Sequence, residues 1–329
     1  MKDVVGGGSA VIGLSIALAI LVPSSASFCQ SELRHPVNLV LQEGQTVWKD
    51  PRGPLTQKAK ELGLSPAEVQ RIRKNTGYVI CPGNVSGGES GGAAMLVGNG
   101  DFLVTDAHLF INPETNERRE PLSDCMFVNQ ADPHDVVRLD FSSERSYKFY
   151  TKVPKLEWYN DRAVVRLKRR VPGARPFPID TDEAPIRRGD RLIMISATQK
   201  QLTFPMTQYH FKTSIGGGKF TYELDLNEEP IAQACTAMGY YARTARASSV
   251  LYSDCSATIG ASGSVALIRK QDGSLAAKAL LIQTGNPVTD HKPFKVGANV
   301  PLTDLSFTLS VGLDANVSDD IMAMERANE

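Results

Sequence analysis

From Tyr78 onward the chain reads as short apolar runs, each broken within a few residues by glycine, asparagine, aspartate or proline. This texture constrains the fold more than any other feature, because it leaves little uninterrupted sequence for long helices and suits many short strands. The clearest instance is "AAMLVGNGDFLVTDAHLF", where two apolar runs meet at Asn99-Gly100, a pair that favours the positive φ angles of a hairpin turn. Further strands are predicted at "CMFVN", "DVVRLDF", "RAVVRLK", "RLIMISA", "FTYELDL", "SVALIR" and "AKALLIQTG". In "RAVVRLK", Ala163, Val165 and Leu167 alternate with Arg162, Val164 and Arg166, the period of a half-buried strand. A proline-rich break, "VPGARPFP", interrupts the series near mid-chain. The expectation is an all-β protein of two successive antiparallel barrels joined by a linker. The 27 glycines and 19 prolines among 329 residues agree with a turn-rich chain.

Before Tyr78 the pattern differs. An apolar run, "VIGLSIALAILV", is followed by "PSSASF", with Ser24 and Ala26 spaced as a signal peptidase requires, so residues 1–26 are expected to be an export signal cleaved after Ala26. The alternative is an uncleaved anchor, although the run is short of the roughly 20 residues that span a bilayer. Residues 27–75 are expected to be an extension outside the main domain: a propeptide, a packing arm or a linker. Within it Ser65, Pro66 and Glu68 form a helix-start signal, with Leu64 and Val69 available as a staple. The tail after residue 312 reads as a short helix capped by Ser318.

Five cysteines fit an exported chain expected in the periplasm or outside the cell. Cys81 and Cys125 could pair, as could Cys235 and Cys255, leaving Cys29; four cysteines allow three connectivities. No C-x-x-C or H-x-x-x-H spacing suggests a metal site, and no metal or cofactor is expected. Acidic and basic residues balance at 36 each, so no nucleic-acid footprint is expected. The chain is expected to be a monomer that meets a membrane only through an uncleaved signal.

Two stretches could hold a serine nucleophile. "GGESGGAA" satisfies G-x-S-x-G at Ser90, the string of an α/β-hydrolase elbow. That elbow needs a buried strand before the serine and a helix directly after it. Ser90 follows "CPGNVSGG" and precedes the hairpin, so it reads as a glycine-rich approach to a strand. The second stretch is "CSATIGASGSVAL", which carries Ser262.

With its partners, the second stretch resembles the trypsin-like (chymotrypsin-fold) serine proteases, and within them the bacterial exported branch that includes the glutamyl endopeptidases. "LVTDAHLF" resembles the family's T-A-A-H motif, "WYNDRAVVRLK" its D-I-A-L-L-x-L strand, and "CSATIGASGSVAL" the branch's C-D-T-T-x-G-x-S-G-S-P stretch. The resemblance spans about residues 76–312. It implies a first barrel over 76–175 carrying histidine and aspartate and a second over 176–312 carrying serine, which leaves 313–329 for the terminal helix read above. It implies His108 as general base, Asp161 as its orienting acid, Ser262 as nucleophile, and the N–H groups of Gly260 and Ser262 as the oxyanion hole. A polypeptide substrate and an acyl-enzyme follow. Asp106, two residues before His108, departs from the family's alanine and is expected to be too local to reach the imidazole from the proper side. His35, His134, His210 and His291 have no comparable neighbourhood.

The same alignment lines a specificity pocket with Ser256, Ala257 and Thr258 on one wall and Gln283, Thr284 and Gly285 on the other. Gln283 stands where glutamyl endopeptidases have a histidine, and Ser256 where relatives often carry aspartate. The pocket therefore argues neither for glutamate nor for arginine or lysine. Ala261 replaces the aspartate that pairs with a new N-terminus in trypsin, so that activation switch is absent. Two rival functions follow from the same residues: a protease-fold binding protein with little turnover, and an esterase using Ser90.

Overall fold

The computed structural model describes residues 47–49, 51–82, 90–112, 115, 117–151, 160–181, 186–198, 206–215, 218–241, 250–257, 260–284, 299–301 and 308–327. The expected signal and its cleavage position, Cys29, His35, His291, Thr258 and Gly285 lie outside these residues.

In chain order the elements begin with strands β1 (Val47–Lys49) and β2 (Gly53–Pro54), then helices α1 (Leu55–Leu62) and α2 (Pro66–Asn75). The first barrel uses β3 (Thr76–Cys81), β4 (Ser90–Val97), β5 (Phe102–Thr105), β6 (Met126–Asn129), β7 (Val136–Asp140), β8 (Tyr147–Phe149) and β9 (Ala163–Leu167). After the proline-rich linker come β10 (Arg191–Ser196), a hairpin of β11 (Met206–Ile215) and β12 (Gly218–Asn227), then β13 (Ile231–Tyr241) and β14 (Val250–Ser253). The chain ends with β15 (Val265–Arg269), β16 (Leu275–Thr284), β17 (Asn299–Pro301), β18 (Thr308–Gly312) and helix α3 (Ala315–Arg326).

Both large sheets close. In the first, β5-β4-β3-β6-β7-β9 is sealed by β5 pairing back onto β9, with β8 added beside β9. In the second, β10-β15-β16-β18-β14-β13 is sealed by β13 pairing with β10, with β2 added beside β13. Each is a closed six-stranded antiparallel barrel, and closure removes the exposed edges an open sheet would leave. The turn expected at Asn99-Gly100 joins β4 to β5; Gly98 and Gly100 take φ of 60° and 96°, and Asn99 Oδ1 accepts from Asp101 N–H. Cys81 bonds to Cys125 inside the first barrel, and Cys235 to Cys255 inside the second.

Strand β9 is more buried than its alternation suggested. Ala163, Val165 and Leu167 enter the core of the first barrel, but Val164 is also fully buried. It faces a larger cluster in which Met95, Val97, Phe102 and Val104 of the first barrel meet Ile193, Ile195, Val265 and Leu280 of the second. The outward face of this strand is thus the seam between barrels, and only Arg166 keeps partial exposure.

Residues 51–75, expected to lie outside the main domain, join that same seam. Leu55 and Leu62 of α1, Leu64, and Val69 and Ile72 of α2 all belong to the shared cluster. The capping box forms as the sequence indicates: Ser65 Oγ accepts from Glu68 N–H at 3.2 Å, and Glu68 Oε2 accepts from Ser65 N–H at 2.8 Å. Helix α2 then grips the linker, with Arg71 donating to Arg175 O and Pro176 O and lying 4.1 Å over the Phe177 ring. Helix α3 starts earlier than expected. Its N-cap is Asp314, whose side chain accepts from Val317 N–H, so Ser318 sits inside the helix. Among the described residues no helix is long and apolar enough to cross a membrane.

Candidate active site

His108 and Asp161 are brought together from separate parts of the first barrel. Strand β5 ends at Thr105, and the chain turns through a short 3-10 segment, Ala107–Leu109, which carries His108 out of the sheet. Asp161 lies just before β9, the strand paired with β5 in the register Thr105↔Ala163. That register brings the end of one strand beside the start of the other. Asp161 Oδ2 lies 2.7 Å from His108 Nδ1, and Asp161 Oδ1 accepts from the His108 backbone N–H at 2.8 Å. Both carboxylate oxygens therefore have a donor from the same residue, which fixes the ring's position and its tautomer. Asp161 is buried, and the imidazole keeps 24% exposure, enough to meet a reactant.

Arg162 follows Asp161 in the chain and is anchored to the C-terminal segment. Its buried guanidinium donates to Gly312 O at 2.5 Å and to Asp314 Oδ2 at 3.1 Å, and lies 4.5 Å over the Tyr150 ring. Tyr150 in turn donates to Asp320 of α3. Burial and the bond to Asp320 raise the Tyr150 hydroxyl far above its usual range, so it remains a neutral donor. The terminal helix is thereby tied to the residue next to the acid. Sequence patterning gave no hint of this, because Arg162 sits at an outward position of its strand.

Ser262 lies in the turn before β15. Gly260 and Gly263 have φ of 92° and 80°, values that a side chain would strain. The turn is locked from within: Ser264 N–H donates to Ala261 O at 2.9 Å and Ser264 Oγ to Ser196 Oγ at 2.7 Å. It is also locked onto both barrels. Ala93 N–H of β4 donates to Ser262 O at 2.6 Å, while Gly263 N–H donates to Leu281 O at 2.9 Å. The N–H groups of Gly260 and Ser262 have no backbone carbonyl partner among the described residues.

This contact gives the glycine-rich stretch around Ser90 its purpose. A Cβ on Gly92 would lie 2.7 Å from Ser262 O, so the close approach of the turn demands glycine there. Ser90 itself is the first residue of β4, paired with Cys81, and its hydroxyl donates to Leu109 O at 2.6 Å. It starts a strand rather than a helix, and its Oγ proton is already given away. An elbow is absent at Ser90.

Asp106 requires a correction. It was expected to be too local to approach the imidazole properly, yet its Oδ2 lies 3.8 Å from His108 Nδ1, the nitrogen Asp161 engages. The backbone folds into the 3-10 turn at this point, and that brings the residue two positions back under the ring. Asp106 is completely buried, and neither oxygen has a hydrogen-bond partner among the described residues. Burial pushes its carboxyl well above the usual carboxylate range, and the Asp161 charge adds to this, with the nearby Gly263 N–H opposing it only in part. Asp106, His108 and Asp161 also present ligand-type atoms within 4.8 Å of one another, a spacing a cation could use. The 2.7 Å contact between Nδ1 and Asp161 fits a hydrogen-bonded pair without one.

Of the expected pocket residues, Ser256 and Ala257 are described and buried. Gln233, which sequence reading missed, clamps this wall: its Nε2 donates to Ser256 O at 2.5 Å and its Oε1 accepts from Ser256 N–H at 2.9 Å. Gln283 and Thr284 lie in β16, paired with Leu309 and Thr308 of β18. Among the other histidines, His134 stacks edge-on against Tyr209, and His210 faces Glu223 across the exposed β11–β12 hairpin.

Two closed six-stranded barrels, with histidine and aspartate on one and the serine turn of the other laid against it, decide the architecture. The fold is a chymotrypsin-like double β-barrel. No family model and no curated protein matches the chain. Similar solved structures include a thermostable serine protease, AL20, from an extremophilic microorganism, at 12% identity and a TM-score of 0.46, covering 76% of this chain and 96% of that one. A Glu endopeptidase shows 9% identity and a TM-score of 0.48, covering 84% and 97%. An inactivated protease paralogue of the scabies mite shows 13% identity and a TM-score of 0.42, covering 76% and 96%.

Proposed function

We propose that this protein is an exported serine endopeptidase that works through an acyl-enzyme, with His108, Asp161 and Ser262 as its triad. The observation that carries the reading is the doubly bonded His108–Asp161 pair, because it holds the imidazole in the one tautomer useful to a neighbouring hydroxyl. With Nδ1–H donated to Asp161, Nε2 keeps a lone pair and accepts the Ser262 Oγ proton as Oγ attacks the peptide carbonyl. Asp161 stabilises the imidazolium that results. His108 then returns the proton to the leaving amine, and water repeats the cycle on the acyl-enzyme. The N–H groups of Gly260 and Ser262, which have no backbone carbonyl partner among the described residues, receive the oxyanion, where one such donor is typically worth about 10²–10³ in rate.

Export is supported by the apolar N-terminal run and by the two disulfides, which persist in oxidising compartments. The substrate is a polypeptide and no cofactor is required for these steps. The described pocket wall, Ser256 and Ala257, carries no charge, so selectivity for an acidic or basic P1 side chain would have to come from elsewhere.

The test is active-site labelling of the mature protein with a fluorophosphonate. Wild type and Ser90→Ala are expected to label, and Ser262→Ala is not. In peptidase assays Ser262→Ala is expected to lower kcat by on the order of 10⁶-fold. Labelling that survives Ser262→Ala, or disappears in Ser90→Ala, would overturn the assignment.

A further inference from the structure

Asp106 is a buried acid for which the reaction above has no use. It occupies the N-cap position of the 3-10 turn without capping it. Its side chain has no exposure, neither oxygen completes a hydrogen bond among the described residues although the Gly263 N–H lies nearby, and Oδ2 stands 3.8 Å from His108 Nδ1. Asp161, by contrast, receives two donors from His108. The segments packed around Asp106 are the end of β5, the 3-10 turn, the start of β9 and the turn at Gly263. Among the described residues, His108 and Asp161 are the charged or titratable groups that face it; Ala93 and the residues Gly260–Ser264 bring none.

Two carboxylates and one imidazole in one dry site cannot all take their usual charges, since like charges at this range oppose joint ionisation. Asp161, with both oxygens bonded by His108, is the acid that the reading above uses as an anion. If Asp106 were also ionised, its bare charge would be balanced only by a proton on His108, and an imidazolium cannot act as a base.

We propose that Asp106 is a positioning residue that carries the site's spare proton, so that the His108–Asp161 pair holds a single negative charge and the imidazole stays neutral and free to accept a proton. Its raised proton affinity follows from burial and from the Asp161 charge, in line with this geometry. The inference rests on the reading of His108 as general base. A neutral carboxyl beside Nδ1 leaves the affinity of His108 for its own proton close to what an amide of the same shape would give. An ionised one would raise that affinity and shift the whole working range to higher pH.

The experiment is carbon-13 and nitrogen-15 NMR on the full mature chain. The Asp106 carboxyl signal is assigned by its loss in Asp106→Asn. At pH 7 it is expected at the position of a protonated acid, with Asp161 at that of a carboxylate. The His108 imidazole is expected to titrate within about half a unit of the same pH in wild type and Asp106→Asn. An ionised Asp106 at pH 7, or a His108 step that falls by about a unit or more in Asp106→Asn, would overturn the proposal. Asp106→Leu, which leaves no unpartnered polar atom, makes the same comparison if the asparagine variant does not fold. The acid limb of kcat/KM is expected to follow the His108 step in each variant. Because the NMR signals are read without turnover, failure of the peptidase reading, seen as absent fluorophosphonate labelling, stays distinct from failure of this one.

Discussion

At the scale of single residues the site divides its two acids by their hydrogen bonds. Both oxygens of Asp161 are engaged by His108, whereas those of Asp106, a few ångströms away, have no hydrogen-bond partner among the described residues. Replacing Asp161 with asparagine presents an N–H where an acceptor is needed, so the ring is stabilised in the wrong tautomer. Asp161→Asn is expected to lower kcat by about 10⁴ while leaving KM nearly unchanged; steady-state kinetics on a peptide substrate checks this. Asp106 has a consequence for stability with the opposite sign to that of a bonded carboxylate. Its folded pKa lies above the unfolded value. Below about pH 4, where an unfolded aspartate also keeps its proton, its contribution is constant. Between there and the raised folded value, the folded chain holds a proton that the unfolded chain has lost, so stability falls as pH rises. Asp106→Asn lacks this slope. Its stability relative to wild type is expected to improve steadily with pH across that window, as read by denaturant unfolding at a series of pH values.

Elements show what local sequence carries and what it cannot. The capping box at Ser65, the turn at Asn99-Gly100 and strands such as β4, β5, β9, β10, β15 and β16 were legible, because each depends on residues within a few positions of one another, whereas β3, β13, β14 and β18 were not read from the sequence. The burial of Val164 was not, since its partners on β10 and β15 come from far along the chain. Nor was the cap of α3. Ser318 looked suitable, but Asp314 follows the buried Leu313 and is also reached by Arg162, and that tertiary anchor fixes the start one turn earlier. For the site, the histidine and aspartate that meet were readable from their motifs, while the contacts of Asp106, Arg162 and Gln233 required the fold. Arg162 is the hinge between α3 and the acid. Arg162→Ala is expected to cost about 3 kcal/mol, because it strands the Gly312 carbonyl and the Asp314 carboxylate that the buried guanidinium holds. It is also expected to lower kcat more than it raises KM, since the backbone at Asp161 loses its support. Urea unfolding and peptidase kinetics on the same variant separate the two effects.

For the whole molecule, the seam between the barrels lays the serine turn against β4, through Ala93 N–H to Ser262 O, and residues 51–75 are built into that seam. Strand β2 extends the second barrel through Ile231↔Pro54. Helix α1 is tied by Leu55 N–H to Pro230 O and by Thr56 to Glu229, and α2 holds the linker through Arg71 and Asn75. Glu68 also accepts from Arg269 at the end of β15. Burial alone would raise the Glu68 carboxyl, but the bonds from Arg269 and Ser65 outweigh it and lower the pKa. Leu55, Leu62, Leu64, Val69 and Ile72 together bury five large apolar side chains. At about 1.5–3 kcal/mol each, their removal would cost on the order of 10 kcal/mol, comparable to the entire net stability of an ordinary domain. A propeptide that ended at residue 75 would therefore take much of the core with it when cleaved. The mature, active chain is instead expected to begin no later than Arg52, which is itself buried. A chain starting at Thr76 is expected to be insoluble or unfolded, and one starting at residue 47 to fold and to label with fluorophosphonate. N-terminal sequencing of the mature protein and circular dichroism of the two truncations test this. A folded, labelling protein that begins after Asn75 would show that the seam closes without the arm.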